Sequence, residues 1–180
     1  VGIELDREAR RRGVASEFVP TGQTGIAIAG WGIAVDAVVA DFIAGAAERL
    51  VVEGHRRGGE LLIVEGQGSL LHPQYSGVTL GLFHGSAPHL LVLCHQAGQR
   101  YIADDERFPI PPLRELVELH ERSALLARPT RVACIALNTR YLDEAEARAA
   151  IEAAETETGL PAGDPVRFGA ERLVETLICD

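Results

Sequence analysis

The 180-residue chain contains no methionine and no lysine; all 17 of its basic side chains are arginines. The first absence, together with an opening Val1-Gly2-Ile3-Glu4-Leu5 that already has helical composition, leads us to expect the remainder of a longer polypeptide. The second excludes a complete phosphate loop of the form GxxxxGK[ST] within these residues, because that motif needs its lysine to reach the phosphates. Cysteine is sparse: Cys94, Cys134 and Cys179 lie far apart and form no CxxC pair. Cys94 and Cys134 sit inside apolar runs and read as buried small hydrophobes, which predicts a reducing, cytoplasmic setting. No secretory leader and no apolar run of membrane-spanning length is visible. Aromatic residues make up only 5% of the chain, so its core must be built mostly from Ala, Val, Leu and Ile. Basic surface is lacking as well. A formal charge of −9 opposes binding to nucleic acid or to an anionic membrane. The one basic run, Arg10-Arg11-Arg12, shares its segment with Glu4, Asp6 and Glu8 and reads as a solvated helix face.

What is present has the composition of a folded domain, with 47% hydrophobic and 24% charged residues. Residues 3–12 read as helix ending at Gly13, 14–19 as a short strand, and 34–57 as one long helix. Leu61-Leu62-Ile63-Val64 is an uninterrupted apolar run, the pattern of a strand covered on both faces. Residues 76–85 read as a short helix, 90–93 as a second buried strand, and 131–137 as a third. Helices follow at 111–126, where Pro111 and Pro112 open the first turn, at 143–158 and at 168–178, with a loop over 161–165. Helices alternating with apolar strands predict a three-layer α/β sandwich with a mainly parallel sheet, in a single domain over 1–180. In such a fold ligands bind outside the carboxyl ends of the strands.

That edge collects the candidate functional residues. The first strand leads into Thr21-Gly22-Gln23-Thr24-Gly25, the second into Glu65-Gly66-Gln67-Gly68-Ser69 and then His72 and Ser76. The third strand leads into His95 and the fourth into Asn138. Glycines let backbone N–H groups approach an anionic or planar ligand closely. A carboxylate directly after a buried strand, followed by Gly-x-Gly, suits either a catalytic base or a Mg²⁺ ligand, which makes Glu65 the central residue. His72, His84 and His95 are candidate proton acceptors or carboxylate ligands, and with Ser76, Ser86 and Gln23 they would form a protonatable pocket. Their spacing is not that of a zinc site. Asp36 reads as a helix cap or a residue reaching the site. Asp41 and His120 read as solvated, and His120 alternatively as an interface residue.

Several ordered blocks resemble a known family: Thr21-Gly22-Gln23-Thr24-Gly25-Ile26, Gly30-Trp31-Gly32-Ile33-Ala34-Val35-Asp36, Glu65-Gly66-Gln67-Gly68-Ser69-Leu70 with His72-Pro73, His84-Gly85-Ser86, and Asp164-Pro165-Val166-Arg167-Phe168-Gly169. They look like the C-terminal domain of the D-glutamate N-acetyltransferase-like family, P-loop-type proteins similar in plan to dethiobiotin synthetase. The resemblance covers nearly the whole chain. It implies a P-loop NTPase-like, nucleotide-binding fold, a Rossmann-like domain upstream, and a Gly-Lys phosphate loop just before the helix that opens this chain. It further implies acetyl transfer from acetyl-CoA to the amine of D-glutamate. Glu65, His72 or His84 would act as base, with Arg100, Arg140, Gln23, Thr24 and Ser69 as donors to the substrate carboxylates. By itself the chain would then be inactive. Two other readings stay open: an ATP- and Mg²⁺-dependent ligase or kinase-like enzyme with the metal on Glu65, and a non-catalytic assembly or regulatory domain. A homo-oligomer is expected under any of them.

Overall fold

The computed structural model describes residues 1–102 and 105–178, so that Cys179 lies outside the described residues. Helices α1 (Gly2–Arg11), α2 (Gln23–Ala29), α3 (Ile43–Arg56), α4 (Ser76–Ser86), α5 (Leu113–Ala124), α6 (Glu144–Thr158) and α7 (Glu171–Ile178) alternate with strands β1 (Ser16–Val19), β2 (Leu61–Val64), β3 (Leu90–Gln96), β4 (Arg131–Asn138) and β5 (Ala162–Gly163). All strand pairs between these elements are parallel. The strands form two sheets, one ordered β1-β2 and the other β3-β4-β5.

The hydrophobic pattern of each strand accounts for its place. In β4 the six central residues are all buried, because helices cover both faces. On one face Leu5 and Ala9 of α1 and Leu173 and Val174 of α7 pack with Cys134 and Ala136, joined by Leu61, Ile63 and Val92. On the other face α3 and α4 cover Val19, Leu62 and Val64. There α5 and α6 cover Leu93, Ile135 and Leu137. The result is the expected three-layer α/β sandwich with parallel pairing. Burying one such leucine is worth about 1.5–3 kcal/mol, so the two helix layers, rather than helix propensity, fix the arrangement.

The strands β2 and β3 do not pair with each other. All four residues of β2 are only half-buried, as are Leu90, Leu91 and Val92 of β3, and Cys94 is exposed. The expectation of a buried Cys94 is therefore corrected: its strand borders an opening. Protein still crowds the thiol and pushes its pKa up.

Other expectations also change. The single helix over 34–57 is two 3-10 turns, Val35–Ala37 and Ala40–Phe42, followed by α3. Gln23-Thr24-Gly25, the end of the expected glycine-rich segment after the first strand, open α2, which stops at Gly30 in a left-handed conformation (φ 75°). The last helix begins at Glu171 rather than 168, and the 161–165 loop contains β5. Helix α6 starts where it does because Asp143 and Glu146 form a reciprocal capping box, with bonds of 2.8 and 2.9 Å.

Arg10 and Arg11 are exposed, as read from the sequence, and the Arg10-Arg11-Arg12 run is also an ion-pair network. Glu8, only 7% exposed, takes bonds from Arg11 (2.6 Å) and Arg12 (2.7 Å), which lower its pKa to about 2. Arg12 also reaches Glu175 at 3.0 Å and ties α1 to α7. His120 is half-buried, bonded through Nδ1 to the Leu116 carbonyl and set edge-on to Phe83, so it is not a solvated residue. Asp41 is exposed, as read from the sequence.

Candidate active site at the carboxyl edge of the strands

Glu65 follows β2 directly, and its carboxylate is tied to the neighbouring strand end. Oε2 accepts the backbone N–H groups of Thr21 (3.0 Å) and Gly22 (2.9 Å). The Thr21 hydroxyl in turn donates to the Glu65 carbonyl at 2.8 Å. These three bonds fasten the ends of β1 and β2 together. Thr21 is wholly buried, so its N–H has no water to turn to. A side chain at Gly25 would run into the Glu65 carboxylate, which explains a glycine in the first turn and a half of α2. Gln67 lays its amide against Gly22, and the Thr79 hydroxyl of α4 donates to the Gln67 carbonyl at 2.8 Å. The 66–75 loop is thereby held from both sides.

Further along this loop, the Ser69 hydroxyl accepts the Leu71 N–H at 3.2 Å. His72 Nδ1 accepts the Gln74 N–H at 3.2 Å, and its ring lies 4.4 Å from that of Tyr75. With Nδ1 accepting this bond, Nε2 is the ring nitrogen left to face a ligand. Ser76 opens α4 beside it. Gln23 and Thr24 are exposed in the first turn of α2, and Gly66 and Gly68 are exposed in the loop.

His95 and Asn138 close the other side of the edge. Asn138 ends β4, pairs with Gln96, accepts the Arg140 N–H on its side chain at 3.2 Å, and accepts the Ala97 N–H on its carbonyl at 3.1 Å. His95 lines a cleft of ≈ 270 Å³ together with Gln99, Pro111, Leu137, Ala153 and Glu157. Burial pushes the His95 pKa below its ordinary value, and the Glu157 carboxylate opposes this only in part. The imidazole is therefore uncharged at neutral pH and able to accept a proton.

Two sequence candidates fall elsewhere. His84 and Ser86 lie in the last turn of α4, which runs from the carboxyl edge back to the start of β3. Eleven residues of helix span about 16 Å, so these two belong to the opposite edge. There the Ser86 hydroxyl is bonded to the Leu82 carbonyl. Asp36 is exposed in a 3-10 turn, away from any helix N-cap position.

Sequence reasoning missed Asp164. It is 4% exposed, and its carboxylate takes four bonds: from the Thr139 N–H (2.9 Å) and hydroxyl (2.7 Å), and from the N–H groups of Val166 and Arg167 (both 3.0 Å). Burial pushes its pKa up, but these donors outweigh it and hold the pKa below the ordinary value. Asp164 does for β4 and β5 what Glu65 does for β1 and β2. The available signal was the same: an acid directly after a strand.

For a divalent cation, Glu65 offers one oxygen, since Oε2 already serves two N–H groups. No group of three or more His, Cys, Asp or Glu among the described residues could hold a metal. A Mg²⁺ ion there would take most of its ligands from water and substrate.

Comparison with known proteins decides the family. A model described as "Domain of unknown function (DUF1611_C) P-loop domain" matches residues 1–174. The chain belongs to the DUF1611 family. Its members include a protein from Anabaena variabilis of known crystal structure, similar to this chain with a TM-score of 0.94 and 45% identity over 99% of this chain and 52% of that one. A protein of Tritonibacter scottomollicae named D-glutamate N-acetyltransferase is 42% identical over 97% of this chain. One of the same name from a Pseudoalteromonas species is 36% identical over the same share. This DUF1611 chain spans about half the length of these relatives, 52% in each case. The family's P-loop fold is thus present here without a GxxxxGK[ST] motif in the 180 residues. Among the described residues no helix is long and apolar enough to cross a membrane.

Proposed function

We propose that this chain is the P-loop-type part of an acetyltransferase that, as a longer protein, moves an acetyl group from acetyl-CoA to the amine of D-glutamate. The observation that carries this reading is the 36–42% identity, over 97% of the chain, to two proteins named for that acceptor and reaction. In the reaction the acceptor ammonium first loses a proton. The amine then attacks the thioester carbonyl carbon, an N–C bond forms, and the tetrahedral oxyanion collapses with loss of the C–S bond. The second nitrogen proton ends on the coenzyme sulfur, and one proton in all is released to solvent.

The carboxyl edge supplies groups for each need. His95, uncharged beside its cleft, takes the first proton. Backbone N–H groups of the 66–69 segment are the donors for the oxyanion. His72, through Nε2, and Arg140, stacked on Tyr141 at 4.5 Å, are donors for the substrate carboxylates. Glu65 holds the two glycine-bearing strand ends in register, so its role is positioning.

The test is coenzyme A thiol release by the full-length protein in the presence of acetyl-CoA and each enantiomer of glutamate, beside ADP release from ATP. Thiol release that needs D-glutamate and no nucleotide supports the reading. ADP release without acetyl transfer would replace it with an ATP-dependent ligase or kinase.

A further inference from the structure

The cleft beside His95 is lined by one carboxylate and, among the described residues, by no arginine, and we propose that Glu157 binds the ammonium group of the acceptor amino acid there and so selects amines among dicarboxylic acids. This deepens the acetyl-transfer reading and rests on it.

Glu157 lies in the last turn of α6 and is clamped by the first turn of α5. Its Oε1 accepts the Arg114 backbone N–H at 3.1 Å. The Arg114 guanidinium donates through Nε (3.1 Å) and Nη2 (2.7 Å) to the Glu157 backbone carbonyl. The arginine thus fixes where Glu157 stands, but its charge goes to the carbonyl and not to the carboxylate. Oε1 has a neutral amide as donor, and Oε2 accepts no bond among the described residues. Capping α5 needs only one neutral acceptor, so that duty does not account for a charged group on the cleft wall.

The rest of the wall is largely apolar, with Ala97, Ile110, Pro111, Leu137 and Ala153. A half-buried carboxylate against such a wall is stabilised by a cation that can also donate hydrogen bonds. His95 is uncharged, so the cleft carries one negative charge and complements a monocation rather than an anion. No group of three or more His, Cys, Asp or Glu among the described residues could hold a metal, which leaves an organic cation. A volume of ≈ 270 Å³ lies just under the roughly 300–1,000 Å³ of pockets for drug-sized ligands. It suits an amino acid and excludes whole coenzyme A.

An ammonium placed here donates one N–H to Glu157 Oε2 and another to the His95 ring. One proton passes from the amine to the imidazole, and Glu157 stays a carboxylate throughout. The positive charge remains in the same cleft, so Glu157 attracts it before and after the transfer. The neutral amine is left in place to attack the thioester. A diacid without the amine brings no cation to Glu157 and leaves the carboxylate without a partner.

The experiment uses the full-length protein and its Glu157→Gln variant, since glutamine keeps an oxygen for the Arg114 N–H. Coenzyme A thiol release gives separate KM values for D-glutamate and acetyl-CoA. Glutarate, which has both carboxylates and no amine, is titrated as a competitive inhibitor. The proposal predicts a KM for D-glutamate raised by about 10- to 100-fold, the loss expected for one hydrogen bond between charged groups. The KM for acetyl-CoA and the glutarate inhibition constant should stay at the parent values. An unchanged KM for D-glutamate, or equal weakening of D-glutamate and glutarate, overturns the proposal. Should the variant fail to fold, calorimetric titration of the parent decides: D-glutamate must bind at least about 10-fold more tightly than glutarate, and equal binding overturns the proposal. A parent that releases no thiol with D-glutamate refutes the acetyl-transfer reading and this inference with it. Normal turnover by parent and variant alike refutes the inference alone.

Discussion

Replacing Glu65 with alanine removes the acceptor of two backbone donors at once, the Thr21 and Gly22 N–H groups now bound at 3.0 and 2.9 Å. Both residues are buried, Thr21 completely, so neither donor regains a full water partner. An orphaned buried donor costs about 1–3 kcal/mol, and partial relief by water entering the truncated site brings the sum to about 2–4 kcal/mol. Glu65→Gln keeps an oxygen in place but loses the charge that strengthens both bonds, which predicts a smaller loss of about 1 kcal/mol. Equilibrium urea unfolding followed by the fluorescence of Trp31, the single tryptophan, measures both variants. Trp31 packs on the cluster containing Val19, next to the strand end in question, and so reports on it. The reasoning fails if Glu65→Ala and Glu65→Gln lie within about 0.5 kcal/mol of each other and of the parent.

Gly85→Ala places a methyl on the Ala44 carbonyl and the Ala47 side chain where α3 and α4 cross, and should destabilise by about 1–3 kcal/mol. Gly45→Ala in α3 meets nothing within 4 Å and should stabilise by roughly 0.5–1 kcal/mol, so thermal melts of the pair should shift in opposite directions. Asp164→Asn weakens four bonds at the β4–β5 edge and should cost about 1–2 kcal/mol in urea unfolding. Burial lowers the pKa values of both His95 and His120 in the folded protein, so the unfolded chain binds protons first. Stability should fall as pH drops below about 6.5 and level off under the folded values. The double variant His95→Gln/His120→Gln should flatten that slope. Glu8 acts lower down: its paired carboxylate contributes fully above pH 4.5, and that contribution is lost as pH falls toward about 2.

Much of the layer order was legible because burial on both faces writes itself as an unbroken apolar run. Residues 61–64 and 131–137 were located nearly to the residue for that reason. The Ala- and Glu-rich composition of 143–158 did the same for α6, whose ends the structure shows capped by Asp143 and Gly159. The 34–42 stretch was misread because its Ala and Val composition is common to helix and to buried irregular backbone; here Val35 is wholly buried within a 3-10 turn. Cys94 was misread because a continuous apolar run shows that a strand expects cover, not that the cover is supplied. At the site, Glu65 stood out correctly, but its bonds run to Thr21 and Gly22, and no one-dimensional pattern names a partner 44 residues away. His84 was grouped with the loop by nearness in sequence, whereas a helix carries it to the far edge.

The most direct test of the account is the pH profile of D-glutamate acetylation by the full-length protein and its His95→Gln variant. An uncharged His95 that accepts the acceptor's proton predicts a parent kcat/KM that rises through an inflection below about 6.5, the ordinary histidine value. It also predicts a variant about 100-fold or more slower that has lost this inflection while keeping its KM for acetyl-CoA. A His95→Gln protein with the parent's rate and the parent's pH profile would contradict it.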